Sequence, residues 1–130
     1  MGLVKKIIVT SPTEFSSAIK EATSLSKVVF VSFISSLDKA TCSLWCRDCQ
    51  ISEPVVNEAV EKSNKDIYLV ECQIEREGYK GNPDHPYRTD PNIKLTAIPT
   101  LFVWTKEQNR LVEEDCADLE KVNKLIDGAF

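Results

Sequence analysis

Two cysteines separated by two residues, Cys46-Arg47-Asp48-Cys49, are the feature of this 130-residue chain best suited to chemistry. At that spacing the second thiol can fold back within one helical turn of the first. One sulfur can then attack an external disulfide while the other resolves the mixed disulfide that forms. The same spacing also serves as half of a tetrahedral zinc site, which needs two further ligands. The remaining candidates are Cys42, Cys72, Cys116 and the single histidine, His85, and no second Cys-X-X-Cys or His-X-His pair completes the set. With Cys42 the stretch spells Cys-X3-Cys-X2-Cys, as in radical iron–sulfur enzymes, but those need a much longer chain. Five cysteines are an odd number, so they do not form a closed framework of internal disulfides.

The elements that must hold this pair follow from the apolar pattern. A thiolate is favoured at a helix N-terminus, where amide N–H groups are unpaired and the macrodipole is positive, an effect of about 0.3–1 kcal/mol or somewhat more. Apolar positions Ile51, Val55, Val56, Ala59 and Val60 predict a helix directly after Cys49, with Pro54 inside it. Arg47 adds a positive charge beside the nucleophile, and Asp48 opposes it or exchanges a proton with Cys49. Residues 28–33, Val-Val-Phe-Val-Ser-Phe, read as a central strand covered on both faces, and a polar stretch over 35–43 leads from it to the motif.

Elsewhere, Ile7-Ile8-Val9-Thr10 predicts a strand, and Ser11-Pro12-Thr13-Glu14 has the form of a capping box before a first helix running to about Ser24. Residues 67–74 predict another buried strand. The Gly-, Pro- and charge-rich stretch 75–91 is long enough to be functional or to hold a short helix. Residues 100–105 predict a strand and 110–113 its hairpin partner across a turn at 106–109. Leu119, Val122, Leu125 and Ile126 mark a last amphipathic helix, with Asp115 or Asp118 as its cap. The order β-α-β-α-β-(α)-β-β-α predicts an α/β domain of three layers, a central sheet between helices, over residues 1–130 as one domain.

Composition narrows the function classes. The chain is 42% hydrophobic and 28% charged with a net charge of −4, an ordinary globular balance. It carries no basic stripe, which argues against nucleic acid and anionic membranes as partners. The longest mostly apolar run, 28–34, is far short of the ~20 residues of a membrane span, and no signal-peptide core follows Lys6. The expected location is the cytoplasm, where thiols stay free unless catalytic, redox-sensing or metal-bound.

Trp45-Cys46-Arg47-Asp48-Cys49, followed by Thr96-Ala97-Ile98-Pro99-Thr100, resembles the thioredoxin fold. More narrowly, the chain resembles the family of thioredoxin-related protein of 14 kDa, also called thioredoxin domain-containing protein 17. The likeness runs almost end to end and includes the longer loop 35–44, Glu53-Pro54-Val55-Val56, residues 68–73, and Leu111-Val112-Glu113 leading to Cys116. It implies a thioredoxin-like fold with a mixed sheet, and a disulfide reductase cycling a Cys46–Cys49 dithiol. By resemblance Cys46 is the nucleophile, Cys49 the resolving thiol and Trp45 the flanking aromatic. Pro99 matches a cis-proline facing the site, with the backbone of Ile98 offered to a substrate strand. Members of the family are reduced by thioredoxin reductase with NADPH. They act on cystine and selected protein disulfides, including a dynein light chain, and show coupled peroxidase activity. No Gly-rich nucleotide fingerprint occurs here, so NADPH would bind the reductase and this chain would carry no cofactor.

Two departures stand out. The family's vertebrate form has Pro where Arg47 stands. Thioredoxins generally place a buried Asp on the strand before the motif, where this chain has Ser32, so proton transfer would fall to Asp48, Glu53 or water. Cys72 reads as a small core hydrophobe, Cys116 as inert, His85 as a loop residue, and Cys42 as the likeliest additional reactive thiol. Tyr79, Tyr87 and Trp104 serve packing or substrate contact equally well. Two readings outside the reductase class stand beside it, a zinc-binding module and a redox-regulated interaction module with little turnover.

Overall fold

The runs rich in β-branched and aromatic side chains become the inner strands of one sheet in a computed structural model that describes residues 2–106 and 109–130. In chain order the elements are β1 (Gly2–Val9), α1 (Phe15–Leu25), β2 (Phe30–Ser35), β3 (Leu37–Asp38), β4 (Ser43–Leu44), α2 (Arg47–Lys62), β5 (Asp66–Ile74), α3 (Pro86–Thr89), β6 (Thr100–Val103), β7 (Leu111–Val112) and α4 (Leu119–Gly128). Short 3-10 turns lie at Pro12–Glu14 and Glu113–Ala117. The main sheet has the order β1-β5-β2-β6-β7. β1 and β2 run parallel to β5, β6 runs antiparallel to β2, and β7 runs antiparallel to β6. This is the mixed sheet that the alternation of strands and helices predicts.

Two cores, one on each face, make the three layers. On one face Phe15, Ala18, Ile19 and Ala22 of α1 pack with Val31 and Phe33 of β2, Cys72 of β5, and Tyr79, Tyr87 and Ile93 from the following loop. On the other, Ala59 and Val60 of α2 and Val122 and Ile126 of α4 pack on Phe30, Ile67, Leu69, Leu101 and Val103. β2 is buried along its whole length, serines included, because it lies in the middle of the sheet under both layers.

Several boundaries differ from the sequence expectation, each for a physical reason. β1 starts at Gly2 rather than Ile7, because the polar Lys5 and Lys6 belong to an edge strand whose pairing to β5 is made by main chain. Gly2 has φ of 77°, and a Cβ there would stand 2.7 Å from the Glu61 carbonyl oxygen at the end of α2. β2 runs to Ser35, two residues beyond the last apolar position expected. The two added residues, Ile34 and the polar Ser35, pair with Gln73 and Ile74 in register. The polar stretch after it folds into the β3–β4 hairpin, closed by Asp38, whose Oδ1 accepts from Ala40 N at 2.8 Å and whose carbonyl accepts from Cys42 N at 2.8 Å.

α2 begins at Arg47, inside the motif, so Cys46 is its N-cap. Pro54 lies within the helix, where its missing N–H leaves one intrahelical bond unmade. The capping-box residues at the start of α1 divide their duties. Ser11 caps the 3-10 turn, while Glu14 reaches back to the amide of Thr10 at 3.2 Å. Asp118 caps α4 by accepting from Lys121 N at 3.2 Å. The turn expected at 106–109 includes Glu107 and Gln108, which lie outside the described residues. Among the described residues no helix is long and apolar enough to cross a membrane.

Candidate functional site

Four segments converge on the Cys46–Cys49 pair: the C-terminal end of β2, the N-terminus of α2, the loop after β5 and the turn before β6. Cys46 is half-buried and Cys49 is wholly buried. Ser35, the last residue of β2, touches both. Its Oγ accepts from Cys46 N at 3.2 Å, and its own N–H donates to Cys49 Sγ at 3.4 Å. Gln50 fixes the approach to the helix by donating its side-chain amide to the Leu44 carbonyl at 2.6 Å. Sequence reasoning missed both residues. The available signal was a pair of serines, Ser35-Ser36, closing an apolar strand that points at the motif.

The two sulfurs differ in character. Burial pushes the Cys49 thiol up from 9.0 to about 12, the Ser35 N–H opposes this, and the charge and hydrogen bond of Cys46 add to it. Cys49 therefore stays protonated near neutrality and donates toward Cys46. The Cys46 sulfur lies at the mouth of the site, 3.9 Å from the Ile98 carbonyl oxygen. Around it the unpaired N–H groups of the first turn of α2 favour negative charge.

The Ile98–Pro99 bond is cis, and both residues are buried against the motif. The turn that carries them is tied at several points. Thr100 Oγ1 donates to the Ala97 carbonyl at 2.6 Å, and Glu113 N donates to the Pro99 carbonyl at 2.7 Å. Arg110 donates to the carbonyls of Ile93 and Lys94 at 2.6 and 3.2 Å while lying over the Phe102 ring. Cys116 is buried and directs its thiol to the carbonyls of Leu111 and Pro99, and burial raises it to about 12.

The remaining nominated residues divide between the mouth and the interior. Trp45 is half-buried, with its indole N–H donating to the Ile74 carbonyl at 2.8 Å and its ring beside Tyr79. Arg47 and Asp48 are exposed on the first turn of α2. Glu53, one turn further on, faces inward and lines a small cavity with Ser32 and Glu71. Cys42 is exposed in the β3–β4 hairpin with φ of 58°. Cys72 is buried in β5, and burial raises its thiol to about 12.

His85 lies in the loop between β5 and α3, where the sequence puts it. It is buried, and it caps α3 by accepting from Tyr87 N through Nδ1 at 3.1 Å. Its ring meets Tyr79 edge-on and lies tilted against Tyr87, so packing makes this loop a wall of the site. Tyr79 and Tyr87 are buried in that wall, and Trp104 packs on Phe15 and Phe102. Beside Trp45 the β3–β4 hairpin and Glu75, Arg76 and Glu77 enclose a cleft of about 380 Å³. Among the described residues no group of three or more His, Cys, Asp or Glu side chains is placed to hold a metal ion.

This arrangement suits thiol–disulfide exchange, with one sulfur accessible and one held behind it. A family model described as the thioredoxin domain of thioredoxin domain-containing protein 17-like proteins matches residues 8–128. Thioredoxin domain-containing protein 17 of Homo sapiens is 31% identical over 126 residues, spanning 97% of this chain and 98% of that protein. The thioredoxin-like protein Clot of Oryza sativa subsp. japonica is 30% identical over 109 residues, spanning 79% of this chain and 78% of that one. Among solved structures, thioredoxin O2 from Arabidopsis thaliana in its oxidized state superposes with a TM-score of 0.58 at 18% identity, covering 95% of this chain and 92% of that one. At that identity the likeness speaks for the fold.

Proposed function

The chain belongs to the thioredoxin domain-containing protein 17-like family, whose thioredoxin fold carries thiol–disulfide chemistry, and we propose that it is a disulfide reductase working through a Cys46–Cys49 dithiol. The observation that carries the reading is the asymmetry of the two sulfurs, one half-exposed at a helix N-terminus and the other wholly buried one turn behind it. In the first step the Cys46 thiolate attacks a substrate disulfide, forming a Cys46–substrate disulfide and expelling one substrate thiolate. In the second, Cys49 gives up its proton and attacks Cys46 Sγ. The second substrate half leaves as a thiol, and Cys46–Cys49 is oxidised. Two electrons have then passed to the substrate.

Re-reduction falls to thioredoxin reductase with NADPH, and the cytoplasm is the compartment in which all five thiols would otherwise stay free. Candidate substrates are cystine and selected protein disulfides, a dynein light chain among them, with peroxidase activity coupled to the same cycle. The backbone beside Ile98 and the cleft next to Trp45 would receive them. The zinc reading has little support, since Cys46 and Cys49 gather no third ligand among the described residues. The interaction-module reading predicts binding without turnover.

The test is a coupled assay with NADPH, thioredoxin reductase and cystine. Cys46→Ser is expected to abolish turnover, and Cys49→Ser to stop after one step with a trapped mixed disulfide visible by mass spectrometry. Full activity in Cys46→Ser would sink the assignment, and a dithiol that never turns over would favour the interaction module.

A further inference from the structure

A tyrosine hydroxyl buried in a core normally finds a partner, and that of Tyr79 has none. The residue is 5% exposed, and its Oη is buried without a hydrogen-bond partner among the described residues. The loop after β5 pins its main chain: Tyr79 N donates to the Arg76 carbonyl at 3.3 Å, and the Tyr79 carbonyl accepts from Asn82 N at 3.1 Å. The ring lies tilted against Trp45, with centroids 6.4 Å apart, and meets His85 edge-on at 5.2 Å. The Arg88 guanidinium covers the ring at 4.2 Å, and Arg88 Nε is likewise buried and unpartnered. A hydroxyl and a cation, both lacking an acceptor, thus border the aromatic that precedes the reactive cysteine.

Both sulfurs reach this hydroxyl electrostatically. Burial raises the phenol's pKa, Arg88 opposes it, and negative charge on Cys46 and then on Cys49 raises it further. The phenol therefore keeps its proton near neutrality and acts as a donor. While Cys46 is a thiol it is itself a donor, directed at the Ile98 carbonyl at 3.9 Å. A thiolate has no proton to offer that carbonyl and is repelled by its oxygen, whereas an unpaired O–H backed by a guanidinium attracts it. The other titratable groups facing this pair are Cys49 and His85. Burial holds the imidazole below 6.5, so it stays neutral while Cys46 titrates above that. Arg47 and Asp48 border Cys46 from the first turn of α2 and are exposed, and Glu75, Arg76 and Glu77 stand beyond Trp45.

Building on the dithiol reading above, we infer that the Tyr79 hydroxyl is the hydrogen-bond donor to the Cys46 sulfur once that sulfur ionises, with Arg88 steadying the ring and adding positive charge. The Cys46 S–H bond breaks and its proton passes to solvent, while Tyr79 keeps its own. The sulfur turns from the Ile98 carbonyl to the Tyr79 hydroxyl, which leaves that carbonyl free. As Cys46 attacks a disulfide, its charge passes to the departing sulfur and the bond from Tyr79 is given up.

Alkylation of Cys46 by iodoacetamide, followed against pH, tests this in a Cys42→Ser background, because the remaining thiols are buried. Tyr79→Phe keeps the ring and its contacts and removes only the donor. It is expected to move the midpoint of the profile up by about one pH unit, so that the rate below the midpoint falls about tenfold. The plateau at high pH should be equal or slightly higher, because a more basic thiolate is the stronger nucleophile. Arg88→Gln should move the midpoint the same way by a smaller amount, and it carries the test should Tyr79→Phe fail to fold. An unmoved midpoint in a folded variant, whatever its plateau, would overturn the contact. Full turnover in Cys46→Ser would instead overturn the dithiol reading, and this inference with it.

Discussion

Ser35 serves both cysteines at once, its hydroxyl accepting from the Cys46 amide and its amide donating to the Cys49 sulfur. A buried hydrogen bond of this kind is worth about 1 kcal/mol, and more is lost when its partner is left unsatisfied. Ser35→Ala is therefore expected to lower stability by about 1–2 kcal/mol in a urea titration. It should also slow mixed-disulfide formation at Cys46, because the N-cap residue loses the contact that sets its position. Cys49 should resist alkylation until the protein is unfolded, as should Cys72 and Cys116, while Cys46 and Cys42 remain open to the reagent. The motif alone could not rank these thiols, since reactivity follows exposure and neighbours that come from distant parts of the chain.

At the scale of elements, the loop between β5 and β6 depends on His85. The neutral imidazole accepts from the Tyr87 amide, and burial, followed by the nearby Arg88, lowers its pKa from 6.5. The folded state therefore binds the proton less readily than the unfolded chain. The stabilisation is complete above pH 6.5 and is lost as the pH falls through the lowered value, when Nδ1 turns from acceptor to donor. Faster exchange of the Tyr87 amide below pH 6.5 is the expected signature. His85→Asn, which keeps an acceptor without a titrating ring, should flatten that pH dependence. The sequence showed that a short helix could sit in residues 75–91, but the cap depends on the edge-on and tilted packing of Tyr79, His85 and Tyr87. Apolar periodicity is silent on a loop that packs by aromatic edges.

Over the whole molecule, three buried thiols share one consequence. Cys49, Cys72 and Cys116 are each pushed by burial from 9.0 to about 12, so folding favours their protonated forms. Their contribution is complete below pH 9.0 and disappears as the pH rises toward 12. Each pKa unit corresponds to about 1.4 kcal/mol, so the reduced protein should lose stability steeply over that range. Thermal melts between pH 8 and 11 should show the decline, and Cys72→Val, of similar volume but unable to ionise, should make it shallower. A decline of equal slope in Cys72→Val would show that this thiol does not drive it.

The sequence by itself determined the order of the main-sheet strands and the helices, though not the β3–β4 hairpin, together with the three layers and the Cys-X-X-Cys pair, because alternating apolar patterns and a two-residue spacing are local properties. It also predicted a helix directly after the motif, and the family resemblance implied that Pro99 faces it. Tertiary structure alone decided that Ser35 reaches both sulfurs, that His85 is a cap, and that Glu71 shares a cavity with Ser32. These arrangements depend on register and on contacts between segments far apart in the chain. Polar residues also leave no periodic trace when they are buried, so a glutamate within a strand reads as an interruption until the neighbouring strand is set beside it.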